Sequence, residues 1–149
     1  MITTSLAFAD ARSDYGYLSQ FREMLKSENL CIDDLEDIPG ILQVAIYEGK
    51  IIGGYGLEIF GDEALFRSLI VSEELRGMGL GIEIMKEAFN QSKNYEIKTL
   101  YLLTTTADKF FLRHGFKVIE RNSVPESIGG TTEFISFCPD TAVCMNKNL

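Results

Sequence analysis

The chain has 149 residues, 46% of them apolar and 24% charged, with a formal net charge of −8. A chain of about 150 residues buries roughly two thirds of its unfolded surface, so the length suits one domain with a sizeable core. No apolar run approaches the ~20 residues of a membrane helix, and the acidic balance makes nucleic acid and anionic membrane surfaces poor partners. The opening Met1-Ile2-Thr3-Thr4-Ser5 has neither the basic region nor the apolar core of a signal peptide, so a cytoplasmic protein is expected. An odd cysteine count (Cys31, Cys138 and Cys144) argues against a disulfide framework. Cys138 and Cys144 lack the close His and tighter spacing of a zinc site. They read as small buried hydrophobes with metalloid binding as the alternative, and no metal is expected.

In chain order, residues 6–9 read as a short first strand. Ser13 or Asp14 is placed to cap a helix with Tyr17, Leu18, Phe21, Met24 and Leu25 on one face. A polar, acidic segment from Ser27 to Asp37 ends at the break Pro39-Gly40. Residues 41–47, 51–60 and 64–71 then read as three strands, joined by Glu48-Gly49-Lys50 and Gly61-Asp62 into an antiparallel meander.

The last of these strands leads through Arg76-Gly77-Met78-Gly79-Leu80-Gly81 into a helix. That helix places Ile84, Met85, Ala88 and Phe89 inward and Glu83, Lys86, Glu87 and Asn90 outward. Glycines at alternate positions let the backbone approach a ligand closely, and they sit where unpaired N–H groups and the positive dipole end face outward. A phosphate or pyrophosphate suits that turn, with Arg76 as a fork of donors. The spacing is neither the dinucleotide G-x-G-x-x-G nor a P-loop. Residues 99–103 form a nearly continuous apolar run, as in a central strand covered on both faces. Thr106 is placed to cap a short helix with Asp108 in its first turn and Arg113 and His114 in its last. Gly115 stops it, and Phe116 to Ile119 begins another strand. There are no repeats or linkers, so 1–149 reads as a single domain.

A basic residue followed by x-x-Gly-x-Gly, here Arg76 to Gly81, resembles motif A of the GNAT N-acetyltransferases. Ala107-Asp108-Lys109-Phe110-Phe111-Leu112-Arg113-His114-Gly115-Phe116 resembles that family's second signature, and the element order resembles its fold along the chain. A closer resemblance is to the acetyltransferases of bacterial arsenic-resistance operons. It is carried by residues 65–69 and 100–107, Val124-Pro125-Glu126, Glu133-Phe134 and Cys138-Pro139. The resemblance implies an α/β (α+β) acyl-CoA N-acyltransferase fold, with a mixed, mostly antiparallel central sheet flanked by helices. It also implies acetyl-CoA as cosubstrate and a small primary amine as acceptor, such as an amino-acid-like toxin or metabolite. A homodimer through the C-terminal strands is expected by the same analogy.

By that resemblance, the backbone of Leu69, Ile70 and Val71 pairs with the pantetheine arm, and Arg76, Gly77, Met78, Gly79, Leu80 and Gly81 hold the pyrophosphate. Phe110 or Phe111 packs along the cosubstrate, with Thr105 nearby. The reaction is attack of a neutral amine on the thioester carbonyl, with the departing thiolate stabilised. The family's tyrosine acid falls at position 111, where this chain has Phe111. A thiolate of pKa about 8.5 leaves tolerably without an acid; otherwise Tyr101, Thr104 and Thr105 are stand-ins, each with packing or a strand-end hydrogen bond as its structural reading. Glu58 is the candidate base, directly or through water, against a solvated strand-face carboxylate. Glu133 lies in a tail expected to fold over the site. Arg67 and Ser68 interrupt an apolar strand, so Arg67 either binds a substrate carboxylate or pairs with Glu63 or Glu58. His114 reads as a helix-dipole partner. Phe111 also keeps open a second class, a non-catalytic acyl-CoA sensor or partner subunit.

Overall fold

A computed structural model describes residues 6–137, 139 and 141–149. Its strands are β1 (Ala7–Asp10), β2 (Gly40–Tyr47), β3 (Lys50–Phe60), β4 (Glu63–Val71), β5 (Thr99–Thr104), β6 (Lys117–Val118) and β7 (Val143–Asn148). They form one sheet in the order β1-β2-β3-β4-β5-β7-β6. Every pairing is antiparallel except β4 with β5. The helices are α1 (Tyr15–Ser27), α2 (Leu80–Asn94), α3 (Asp108–Arg113) and the single turn α4 (Glu126–Gly129).

Asp14 caps α1, its carboxylate accepting from the Gly16 and Tyr17 amides at 2.7 and 3.3 Å. Leu18, Phe21 and Leu25 of α1 bury against Leu42 and Val44 of β2, while α2 buries Leu80, Ile84, Met85 and Ala88 in the cluster that holds Ile41 and Ala45. Side chains alternate along a strand, so the two helices cover opposite faces of the sheet. The close seat of α1 depends on Gly54. A Cβ there would stand 2.4 Å from the Gln43 carbonyl oxygen and 2.8 Å from the Phe21 ring. Gly54→Ala should therefore cost about 1–3 kcal/mol through overpacking. Urea unfolding should show a lower midpoint at an unchanged m-value.

Two local expectations are corrected. Thr104, not Thr106, turns the chain into α3, its hydroxyl accepting from the Ala107 amide at 3.0 Å. The strand runs on to Thr104, and α3 starts only at Asp108 without a side-chain cap. The strand after Gly115 is two residues long, and β7 inserts between it and β5.

β4 and β5 share only three paired positions, Glu63–Thr99, Ala64–Leu100 and Leu65–Tyr101. Further along, Gly54 pairs with Ile70 and Gly56 with Arg67, so Ser68 and Leu69 both stand opposite Tyr55. Ser68 takes the left-handed conformation this bulge demands, with φ of 60°. A bulge bends its strand, and here β4 parts from β5 to leave a wedge.

Candidate active site

The wedge holds a cavity of about 800 Å³, walled by residues 66–71 on β4 and by residues 102–107, Phe110 and Phe111 on the other side. Residues 28–31, just after α1, and Arg76 form one rim, and Glu133 and Pro139 reach in from the C-terminal segment. Ser68, Leu69, Ile70, Val71, Thr104 and Thr105 thus line one space.

Arg67 is the most heavily bonded side chain on this wall and is 3% exposed. Its Nε donates to Ser68 Oγ at 3.2 Å, and its Nη1 donates to Asp34 Oδ2 and Glu58 Oε1, both at 2.7 Å. Its Nη2 donates to Asp34 Oδ1 at 2.9 Å and to the Cys31 carbonyl at 3.3 Å. Glu133 Oε2 lies 3.3 Å from Nε. The five N–H donors of a guanidinium therefore all have protein acceptors. The substrate-carboxylate role for Arg67 gives way to the internal ion pair with Glu58, with Asp34 and Glu133 joining it.

The shared guanidinium treats its partners unequally. Burial pushes Asp34 upward, but the two-pronged bond to Arg67 outweighs it and holds the carboxyl below the usual range. Burial also pushes Glu58 upward, and its single bond to Arg67 does not cancel that, so Glu58 sits above the ordinary glutamate range. Burial opposes the charge on Arg67 too, yet the surrounding carboxylates raise its pKa. Glu58 is a buried member of this cluster behind the cavity wall, which corrects its reading as a solvated strand-face carboxylate. Burial lifts the Cys31 thiol to about 11, so at neutral pH it is not a thiolate.

At the other end lies the glycine turn. Gly77 and Gly79 have φ of 85° and 81°, and a Cβ on either would meet nothing within 4 Å. Glycine is needed here for conformation rather than for space. Gly79 is the N-cap of α2 and offers no side chain to its first amides. Leu80 buries its side chain in the core, so only its backbone faces the turn, while Met78 is 41% exposed. Gly81 abuts Val71 and Phe110, which ties the turn to the cavity. Arg76 departs from a pure phosphate fork. Its Nε donates to the Val71 carbonyl at 3.0 Å and its Nη2 to Glu28 at 2.6 Å, tethering it at the rim.

Tyr101 is corrected. It stands opposite Leu65 where the strands are still paired, packs against the Leu65, Ile128, Phe134 and Cys144 cluster, and is not part of the cavity wall. Phe111 is a core residue that also reaches the wall, edge-on to Phe66 at 6.1 Å. Phe110 is half-buried beside it. His114 ends α3 with its ring 4.8 Å from that of Phe110. Cys144 is a buried free thiol, and Cys138 lies outside the described residues. Sequence reasoning missed Asp34, whose only signal was membership of the acidic segment.

A mixed, mostly antiparallel sheet that parts beside a glycine turn is the acyl-CoA N-acyltransferase architecture. Residues 39–118 match the family model for the acetyltransferase (GNAT) domain, and the chain belongs to that family. It is similar to an uncharacterized N-acetyltransferase of Chlorobaculum tepidum, 29% identical over 123 residues, which are 82% of this chain and 76% of the relative. N-acetylglutamate synthase from Neisseria gonorrhoeae, solved with coenzyme A and L-arginine, has a TM-score of 0.80 at 16% identity. That likeness covers 99% of this chain and 34% of the synthase, so this chain spans about a third of that enzyme's length. A Mycobacterium tuberculosis protein solved with CoA and NLQ has a TM-score of 0.76 at 20% identity, over 96% of this chain and 99% of that one. No helix among the described residues is long and apolar enough to cross a membrane.

Proposed function

We propose that the protein is an acetyl-CoA-dependent N-acetyltransferase acting on a small primary amine. The observation that carries this reading is the wedge opened by the Ser68 bulge beside the glycine turn. Beyond Leu65, Leu69, Ile70 and Val71 have no paired position with β5 among the described residues; apart from the Val71 carbonyl, which Arg76 holds, their β5-facing backbone groups are available to an extended chain. The first amides of α2, from the Gly77–Gly81 turn onward, would hold a pyrophosphate, with Arg76 at the rim. Acetyl-CoA supplies the activated thioester. Glu58 takes the amine's proton through water; its raised pKa suits a base. A β4 amide at the bulge polarises the carbonyl. As the N–C bond forms and the C–S bond breaks, Thr104 is one of the wall hydroxyls able to donate a hydrogen bond to the departing thiolate, its oxygen already accepting from the Ala107 amide. Phe110 and Phe111 pack along the cosubstrate, and Thr105 lies beside them. The arsenic-operon resemblance covers wall residues 66–69 and 102–107, which supports a small toxin or metabolite as acceptor; a cytoplasmic location belongs to the same reading. A homodimer through the C-terminal strands belongs to the same reading.

Thermal unfolding with acetyl-CoA tests the cosubstrate. A hundredfold excess over its dissociation constant adds about 2.7 kcal/mol. For this size the midpoint should rise by on the order of 8 °C. A folded Gly79→Glu variant, strained at φ 81° and carrying a charge into the anion site, should lose that shift. Release of free coenzyme A only when an amine is present supports turnover. Binding without release over an amine panel would mean a sensor, and no shift in the parent would sink the reading.

A further inference from the structure

We infer that the acceptor is a cationic amine bearing no carboxylate, and that Asp34 enforces this choice by occupying Arg67. The inference rests on the acetyltransferase reading of the cavity and narrows its substrate class.

A substrate carboxylate leaving water for a cleft is met most strongly by a cation, whose charge-assisted hydrogen bonds replace its hydration. Among the described lining residues the cations are Arg67 and Arg76. Arg76 sits on the glycine-turn side, tethered to Glu28 and Val71. Arg67 has its five N–H groups directed to acceptors at 2.7–3.3 Å, two of them taken by Asp34 in a fork. The acceptor end, as far as the described residues define it, therefore has no free cation for a carboxylate.

The charge balance points the same way. One guanidinium stands among three carboxylates, Asp34, Glu58 and Glu133. Carboxyl groups therefore outnumber the guanidinium around Arg67. Glu133 lies on the wall itself. An ammonium is drawn to this end and a carboxylate repelled, which is discrimination by an unfavourable contact as much as by a favourable one.

The test uses matched acceptors: phenylalanine, its methyl ester and phenethylamine, then lysine, its methyl ester and cadaverine. Acetyl-CoA turnover is followed by thiol release. Esters and decarboxylated amines should exceed the amino acids in kcat/KM by at least about tenfold. Asp34→Ala frees two Arg67 donors, so the ratio of amino acid to amine should rise whatever happens to the absolute rate. Should that variant not fold, Glu133→Gln provides the second arm and should raise KM for cadaverine more than for neutral-ended amines. Amino acids used as well as their esters by the parent would overturn the inference while leaving the enzyme intact. A ratio unchanged by Asp34→Ala would remove Asp34 from it. No release with any amine would instead overturn the acetyltransferase reading, and this inference with it.

Discussion

Replacing Arg67 with alanine should destabilise the protein by about 3–5 kcal/mol, the usual effect of removing one partner from a buried ion pair. For this chain length the thermal midpoint should fall by on the order of 10 °C. Arg67 is buried and is the shared partner of Asp34, Glu58 and Glu133. The loss should depend on pH in a defined direction. In the parent, Asp34 is held below the usual range, so its contribution is present above the ordinary carboxylate pKa and fades as pH falls through the depressed value. Glu58 is raised, so its contribution is present below the ordinary pKa and fades as pH rises through the elevated one. Without the guanidinium, burial acts on both unopposed and each favours its proton. The deficit of the variant should therefore be largest near neutrality and shrink on acidification. An equal deficit at about pH 5 and about pH 8 would trace it to packing rather than charge.

Glu58→Gln should lower kcat/KM by about 10²–10⁴-fold, the range for loss of a general base. Stability should change little, because burial already disfavours the charged form of Glu58. The parent's pH–rate profile should have an acid limb above the ordinary glutamate range, and the variant should lack it. A variant that keeps both rate and limb would move the base to Glu133, the carboxylate that lies on the wall.

Local rules made much of the molecule readable. The meander followed from Glu48-Gly49-Lys50 and Gly61-Asp62 between apolar runs, and α2 from the spacing of Ile84, Met85 and Ala88. The glycine turn announced itself through Gly77 and Gly79, since few other residues adopt those angles. What stayed hidden was carried by distant pairs. Asp34 and Arg67 are 33 residues apart, and Asp33, Glu36 and Asp37 look like Asp34 in the same acidic run, so composition could not single it out. Tyr101 belongs to a strand with both faces covered, so alternation could not show where the cavity begins. The bulge at Ser68, which opens the wedge, has no glycine to mark it.

The position of β7 has a consequence for how the chain is made. Ribosomes deliver the strands from β1 to β7, yet the last of the seven to emerge is an interior member of the sheet. β5 has three paired positions with β4 but six with β7, and among the described residues β6 pairs with β7 alone. Until residues 143–148 clear the exit tunnel, a nascent chain has the meander and its helices but only a loosely held second wall, with β6 unpaired. The cleft is thus a late product of synthesis, and a message cut short before β7 would yield a polypeptide carrying the family's motifs without the cleft they serve.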